Sequence, residues 1–239
     1  MIGIIGFGYV GQAVYNSIYN KEEVVIYDTN KNIGTMEDIL KTDFVFVCVN
    51  TPENKDGSCN IDNVYDVLES LMFYKGIIIL KSTILYEYIP IMKNLCYNPE
   101  FLNERTYLED FKNQEYIILG GDINIADKVK KLYDGNFKGS HEYIFCTIKE
   151  AADFKYIRNV YNAYKVLFWE YVEDITGNSR KMGMMLDKLP ISENTQVSMD
   201  GYRGYGGSCL PKDINAIHHK RHHKLTKFMK KFNKGLQTV

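Results

Sequence analysis

The stretch that decides the fold is at the amino terminus: MIGIIGFGYVGQAVYNSIYN, residues 1–20. An apolar run, Met1–Ile5, leads into three glycines with G-x-G-x-x-G spacing, and apolar residues then recur at helical intervals. The first glycine permits a tight turn, the second lets the backbone approach a pyrophosphate, and the third lets helix pack closely on strand. N–H groups at the start of the helix attract the anion. The pattern predicts a dinucleotide site with these cofactor-binding residues: Gly6, Gly8, Tyr9, Val10 and Gly11.

A second strand is predicted for VVIYD, residues 24–28, which ends in Asp28, 17 residues after Gly11. An acidic side chain at this point binds the ribose hydroxyls and repels a 2′-phosphate. We therefore expect NAD rather than NADP as the cofactor, with Asp28 in its binding site. The competing interpretation of Asp28 is an ordinary turn residue.

Apolar strand-like segments alternate with helical ones through the first 150 residues, as in DFVFVCVNTP (43–52), GIIILKSTI (76–84), EYIILGG (115–121) and YIFCTI (143–148). This alternation predicts an α/β fold with a Rossmann-like doubly wound parallel sheet. Ligands of such sheets bind at the carboxyl ends of the strands, so Thr51 and Thr83 are candidate site residues. Each could instead cap a helix.

The segment EAADFKYIRNVYNAYKVLFWEYVEDITG, residues 150–177, predicts one long helix that is followed by a helical carboxyl-terminal segment. Lys155 and Asn159 are four residues apart and share a face of this helix. A cation beside an amide can stabilise an oxyanion, although both could simply be solvated. A helix of this length usually packs on a second domain or a symmetry mate, so we expect a homodimer through it.

The segment GYGGSCLPKD, residues 204–213, surrounds Cys209 with glycines and a lysine. An accessible thiol near a cation is favoured as a thiolate. Together with a nicotinamide cofactor, it suggests oxidation of an aldehyde through a thioester. Cys48, Cys96 and Cys146 lie in apolar runs and are expected to be buried, and the odd, widely spaced set of five cysteines predicts neither disulfides nor a metal site.

Six motifs occur in an order that resembles the UDP-glucose/GDP-mannose dehydrogenase family: GFGYVG (6–11), VNTP (49–52), KSTI (81–84), NPEFLNE (98–104), EAADFKYIRN (150–159) and GYGGSCLPKD (204–213). The resemblance implies a four-electron oxidation of the C6 alcohol of a nucleotide sugar. UDP-glucose is the expected substrate and UDP-glucuronate the product, with GDP-mannose or another nucleotide sugar as the alternative.

The resemblance also implies roles for individual residues. Cys209 would be the nucleophile, Lys155 and Asn159 would stabilise oxyanions, Asp213 with a water held by Thr83 would be the base, and Glu104 would assist thioester hydrolysis. Thr51, Thr83 and Lys212 would lie at the cofactor. The substrate would contact Glu100, Phe101, Leu102, Lys155, Asn159, Tyr205 and Gly206.

The sequence also departs from the family pattern. The chain ends 26 residues after Asp213, where the family continues into a second Rossmann-like domain, and Glu193 stands where the family often has an arginine. The segment after VVIYD is short. We expect an NAD-binding domain (1–147), a central helix with the cysteine loop (148–213) and a basic amphipathic tail (214–239). Three functions stay open: an active dehydrogenase, an NAD-binding remnant or half-enzyme completed by a separate carboxyl-terminal-domain partner, and a two-electron β-hydroxyacid-type dehydrogenase.

The composition limits the kinds of partner that the chain is expected to bind. The net charge is −1, so nothing suggests nucleic acid, and no apolar run has the length of a membrane helix. No signal peptide is visible, so a cytoplasmic location is expected. The tail, residues 214–239, has seven Lys or Arg and no acidic residue. Its two i,i+4 histidine pairs, His218/His222 and His219/His223, are expected to be solvated rather than to bind metal.

Overall fold

The computed structural model describes residues 1–188, 204–205 and 210–237. The chain divides into two compact units, Met1–Asn159 and Val160–Val239. The first unit contains the sheet and is the one in which the predicted dinucleotide site lies.

The described residues form a seven-stranded sheet in the order β2-β1-β3-β4-β5-β6-β7. Its strands are β1 (Ile2–Ile5), β2 (Val24–Tyr27), β3 (Phe44–Val47), β4 (Ile77–Leu80), β5 (Leu95–Tyr97), β6 (Tyr116–Gly121) and β7 (Glu142–Cys146). The helices are α1 (Tyr9–Ser17), α2 (Met36–Ile39), α3 (Asp62–Ser70), α4 (Tyr107–Lys112), α5 (Ile123–Asn136), α6 (Ile148–Thr176), α7 (Ser179–Leu186), α8 (Leu210–Arg221) and α9 (Lys224–Gln237).

Helices cover both faces of the sheet, which confirms the predicted doubly wound fold. On one face, strand residues such as Ile4, Phe46 and Ile79 pack against α1, α4 and α5. On the other face, alternate residues such as Val47 and Leu80 pack against α3 and the start of α6. Strands that are covered on both sides are apolar at nearly every position, and for this reason they could be recognised in the sequence.

The strand order reverses at β1, which lies between β2 and β3. The chain passes from β1 to β2 on one side and then returns to β3 on the other. A crevice opens at the carboxyl ends of the strands at such a point, and ligands bind there. Backbone hydrogen bonds join the ends of these three strands. The N–H of Gly6 donates to the carbonyl of Tyr27, and the N–H of Cys48 donates to the carbonyl of Ile5.

Strand β5 and its direction were not predicted. Strand β5 has only three residues, too few to show a pattern, and it pairs with β6 in antiparallel fashion through Cys96 and Tyr97. The remaining strand pairs are parallel. The short connection between β2 and β3 leaves room only for the four-residue helix α2.

The described part of the second unit is helical. Helix α6 was predicted at 150–177 and ends at Thr176, where Gly177 adopts a φ of +64°. The tail was predicted as one amphipathic helix, and that prediction was wrong. It forms α8 and α9, because His222 takes a φ of +51° between them. His223 then points away from α8, and its Nε2 lies 2.9 Å from Oδ2 of Asp174.

Helices long and apolar enough to span a membrane are absent from the part of the chain that the structure describes.

Candidate active site

The glycine turn between β1 and α1 is shaped by steric necessity. Gly6 has a φ of +86°, which strongly favours glycine. A Cβ on Gly11 would lie 2.0 Å from the carbonyl oxygen of Gly6, so α1 can approach the turn only with glycine there. A Cβ on Gly8 would meet nothing within 4 Å. The space over Gly8 is therefore open to a ligand that comes close to the backbone.

Asp28 faces this turn from the end of β2. Its Oδ2 accepts the N–H of Phe7 at 2.6 Å, and its Oδ1 accepts the N–H of Lys31 at 3.0 Å. The Lys31 ammonium donates in turn to the carbonyl of Phe7 at 2.6 Å. A carboxylate has about four acceptor positions, so Asp28 keeps capacity for the two hydroxyls of a ribose. A role for Lys31 was not predicted from the sequence. Its place three positions after the acid that ends β2 could have indicated one.

A cleft of about 400 Å³ runs between Gly6 and Gly8 on one side and Asp28 to Lys31 on the other. Its apolar wall is formed by Ile5, Met36 and Val67. The residues present fit an adenosine diphosphate moiety: an open glycine backbone and the amino end of α1 for the pyrophosphate, and a fixed carboxylate for the ribose.

A second cleft of about 240 Å³ lies beyond the turn, at the carboxyl ends of β3 and β4. It shares Gly8 and Cys48 with the first cleft, so the two clefts are adjacent at the turn. Predicted residues meet here: it is lined by Tyr9, Val10, Thr51, Thr83 and Glu100, among others. The hydroxyl of Thr51 donates to the carbonyl of Thr83 at 2.8 Å, which ties the two strand ends together.

Lys155 and Glu100 form a buried ion pair in the first unit. The Lys155 ammonium donates to the Glu100 carbonyl at 2.6 Å and to its Oε1 at 3.1 Å, and the two side chains are 7% and 16% exposed. Glu100 Oε2 also accepts the N–H of Leu102 at 2.8 Å. The ring of Phe101 lies under both Lys155 and Arg158, at 5.4 and 4.6 Å from its centroid. The chain segment after β5 is thus held against α6 by charge.

Lys81, the first residue of the KSTI motif, is a further buried cation, and no role was predicted for it from the sequence. It is 2% exposed and lines the second cleft. Its ammonium donates to Oδ1 of Asn98 at 2.9 Å and lies 5.4 Å from the centroid of Phe111. Asn98 also accepts the hydroxyl of Tyr133 at 2.6 Å. Burial lowers the pKa of Lys81 to about 8. The position of Lys81 directly after an apolar strand could have indicated a buried lysine at the site.

The cysteines of the first unit behave as structural residues. Cys48 and Cys96 are buried, as predicted, and burial raises the pKa of each thiol to about 12. Cys146 was expected to be buried but is half-exposed at the end of β7. The Sγ atom of Cys59 lies 3.9 Å from the carbonyls of Thr51 and Thr83.

Two of the predicted catalytic side chains are exposed. Glu104 lies in the turn before α4, and Asn159 lies one turn of α6 beyond Lys155. The roles assigned to them remain predictions.

The other predicted residues belong to the second unit. Cys209 and Gly206 lie outside the described residues. Lys212 is exposed on α8, while the Asp213 side chain is also outside the described part. Tyr205 is held by Asn233 of α9, whose Oδ1 accepts the Tyr205 N–H at 2.7 Å and whose Nδ2 donates to its carbonyl at 3.0 Å. Asn233 therefore anchors the backbone four residues before Cys209, a role without a local sequence signal.

No group of three or more His, Cys, Asp or Glu side chains suited to a metal ion occurs within residues 1–188, 204–205 and 210–237.

The sheet, glycine turn and strand-ending acid together define a Rossmann-type dinucleotide-binding domain. The family model for the "UDP-glucose/GDP-mannose dehydrogenase family, NAD binding domain" matches residues 33–136. Over these residues the chain is thus similar to the NAD-binding domain of this family, and its cofactor is NAD.

Similar curated proteins include both substrate classes. UDP-glucose 6-dehydrogenase of Rickettsia felis is 27% identical over 222 residues, covering 82% of this chain and 49% of that protein. GDP-mannose 6-dehydrogenase of Pseudomonas savastanoi pv. phaseolicola is 27% identical over 220 residues, covering 79% and 49%. The chain therefore spans about half the length of the curated relatives it matches.

Among solved structures, a ternary complex of GDP-mannose dehydrogenase from Pseudomonas aeruginosa superposes with a TM-score of 0.84 at 22% identity. The match covers 98% of this chain and 68% of the other. It confirms the fold.

Proposed function

We propose that this chain carries out the NAD-dependent oxidation of the C6 alcohol of a nucleotide sugar, converting UDP-glucose to UDP-glucuronate. The observation that carries the proposal is the buried Lys155–Glu100 pair beside the cleft that continues from the glycine turn. Burying an ion pair costs desolvation free energy that an apolar contact would avoid, so its presence beside the cleft supports a chemical role.

The glycine turn and Asp28 would hold NAD⁺, which would supply the hydride acceptor. Thr83, whose carbonyl accepts the Thr51 hydroxyl, lines the second cleft, and its hydroxyl would hold the water that acts with Asp213 as the base for the alcohol. Loss of that proton and of a hydride from C6 gives the aldehyde.

Lys155 is suited to stabilise the oxyanions that follow. An ammonium has three N–H donors. Within the described residues two of them go to Glu100, which leaves one for a substrate oxygen. Because the ion pair holds the ammonium in place, little reorganisation is needed when negative charge develops.

Cys209 is the proposed nucleophile. Its thiolate adds to the aldehyde carbon, and the resulting thiohemiacetal loses a proton and a second hydride to become a thioester. Water, assisted by Glu104, then displaces the thiolate and releases the carboxylate. The balance is one alcohol, one water and two NAD⁺ consumed for one carboxylate, two NADH and three protons.

The test is the stoichiometry of NADH per UDP-glucose consumed, measured by absorbance and by chromatography of the sugar nucleotides. We expect two NADH per UDP-glucuronate from the native chain, and no UDP-glucuronate from Cys209→Ala. The matched control is Cys146→Ala, which removes a partly exposed thiol of the first unit and should retain turnover. Full acid formation by Cys209→Ala would refute the thioester course, and one NADH per sugar would instead support a two-electron enzyme. Faster turnover of GDP-mannose would reassign the substrate.

A further inference from the structure

Lys81 is a buried cation without its own counter-ion. Among the described residues no carboxylate oxygen lies within 4.0 Å of its ammonium. Its hydrogen bonds go to the side-chain and main-chain oxygens of Asn98, at 2.9 and 3.3 Å. Placing an ammonium in such surroundings is unfavourable, because a neutral amide replaces only part of the lost hydration. A purely structural role would be filled better by an apolar side chain.

The groups around Lys81 leave its charge uncompensated. Cys48 and Cys96 are neutral at physiological pH, because burial raises the pKa of both thiols to about 12. Burial also keeps Tyr133 protonated, by raising its pKa well above the usual value. Glu100, which also lines the second cleft, forms an ion pair with Lys155. This ion pair contributes no net charge, so the positive charge of Lys81 is the one left over at the second cleft among the residues that the structure describes.

The position of the cleft indicates what meets this charge. Asp28, at the end of β2, fixes the adenosine side of the dinucleotide in the first cleft. The glycine turn would hold the pyrophosphate, and the nicotinamide half would then extend to the other side of the turn, toward the ends of β3 and β4. That is the second cleft, which Lys81 lines.

We propose that the ammonium of Lys81 makes the cofactor site prefer NADH over NAD⁺. The nicotinamide ring of NAD⁺ is a cation, and it becomes neutral when it accepts a hydride, which brings two electrons and one proton. A fixed positive charge beside the ring repels the oxidised form and not the reduced one. Lys81 thereby favours hydride transfer toward the cofactor. The inference deepens the proposed function and rests on it only in placing the nicotinamide in the second cleft.

The preference for NADH over NAD⁺ decreases as the pH rises. Burial lowers the pKa of Lys81 to about 8, so the amine is mostly charged at pH 7 and mostly neutral at pH 9.5. The preference for NADH is present below pH 8 and is lost as the pH rises through that value. The NAD phosphates are fully ionised throughout this range.

The experiment measures the dissociation constants of NAD⁺ and NADH between pH 6.5 and 9.5, without any sugar nucleotide. For the native chain we expect the ratio of the NAD⁺ constant to the NADH constant to fall roughly tenfold from pH 7 to pH 9.5. In Lys81→Met the ratio should be low and independent of pH. The control Lys75→Met removes an exposed ammonium at the other end of β4, about 20 Å along the chain, and should behave as the native chain does.

A ratio in Lys81→Met that equals the native one at every pH would overturn the proposal while leaving NAD binding intact. If the folded native chain bound neither nucleotide, the proposed function would fail as well, so the two failures are distinguishable. Lys81→Gln keeps a hydrogen-bonding head near Asn98 without the charge. If Lys81→Met does not fold, Lys81→Gln replaces it in the experiment, and we expect the same ratio of the NAD⁺ and NADH dissociation constants.

Discussion

The glycine turn yields a paired prediction from two substitutions three residues apart, Gly11→Ala and Gly8→Ala. A methyl group on residue 11 would lie 2.0 Å from the carbonyl oxygen of Gly6 and 3.3 Å from Cγ2 of Ile4. The carbonyl cannot retreat easily, because the Gly6 N–H is bonded to the carbonyl of Tyr27 at 2.9 Å. The helix or the turn must therefore move.

The magnitude follows from the nature of the clash. Overpacking a well-ordered core costs about 1–3 kcal/mol, and a backbone contact this short belongs at the upper end. Alanine returns about 1 kcal/mol through its higher helix propensity. We expect a net loss of about 2 kcal/mol or more. At roughly 2–4 °C per kcal/mol for a chain of this size, the Tm of the first unit should fall by about 4–8 °C.

Gly8→Ala should separate binding from stability. Residue 8 has a φ of −75° and open space around its Cβ, so alanine is tolerated and the Tm should change by no more than about 2 °C. The methyl group would occupy the path by which the backbone approaches the pyrophosphate. The Kd for NAD⁺ should therefore rise at least tenfold, which is about 1.4 kcal/mol.

The assays are thermal unfolding followed by circular dichroism and titration calorimetry with NAD⁺. A Gly11→Ala protein with the native Tm would show that the turn is more compliant than its contacts imply. An unchanged Kd in Gly8→Ala would show that the pyrophosphate does not pass over this residue.

Three further predictions concern single groups. Asp28→Ser should weaken NAD⁺ binding and relax discrimination against NADP⁺, because the Lys31 ammonium remains beside the turn; competition titration with both nucleotides checks this, and an unchanged ratio would contradict it. For Lys81, the fall in pKa from 10.5 to about 8 means that the unfolded chain binds an extra proton between these pH values. The native chain should thus gain up to about 3 kcal/mol of stability relative to Lys81→Met from pH 8 to 10.5, as measured by urea unfolding; parallel curves would refute the buried charge. Cys48 and Cys96 should resist iodoacetamide at pH 8 until denaturant is added, because burial raises the pKa of both thiols to about 12; rapid modification of either in the native chain, detected by mass spectrometry, would contradict this.

Most of the sheet could be predicted because its signals are local. Strands β1, β3 and β4 are apolar at nearly every position, and glycine spacing marks the turn that follows β1. Strand β5 was missed because three residues carry no periodicity. The tail was misread because its apolar spacing continues through His222, whereas the backbone turns there.

The sequence by itself determined the fold class, the dinucleotide turn and the identity of the strand-end residues, because each depends on side chains a few positions apart. The tertiary structure alone decided which charges meet. Lys155 pairs with Glu100 across 55 residues of sequence, and Lys81 shares Asn98 with Tyr133. Whether a lysine is solvated or buried depends on which helices cover its strand, and that is settled only when the sheet is assembled.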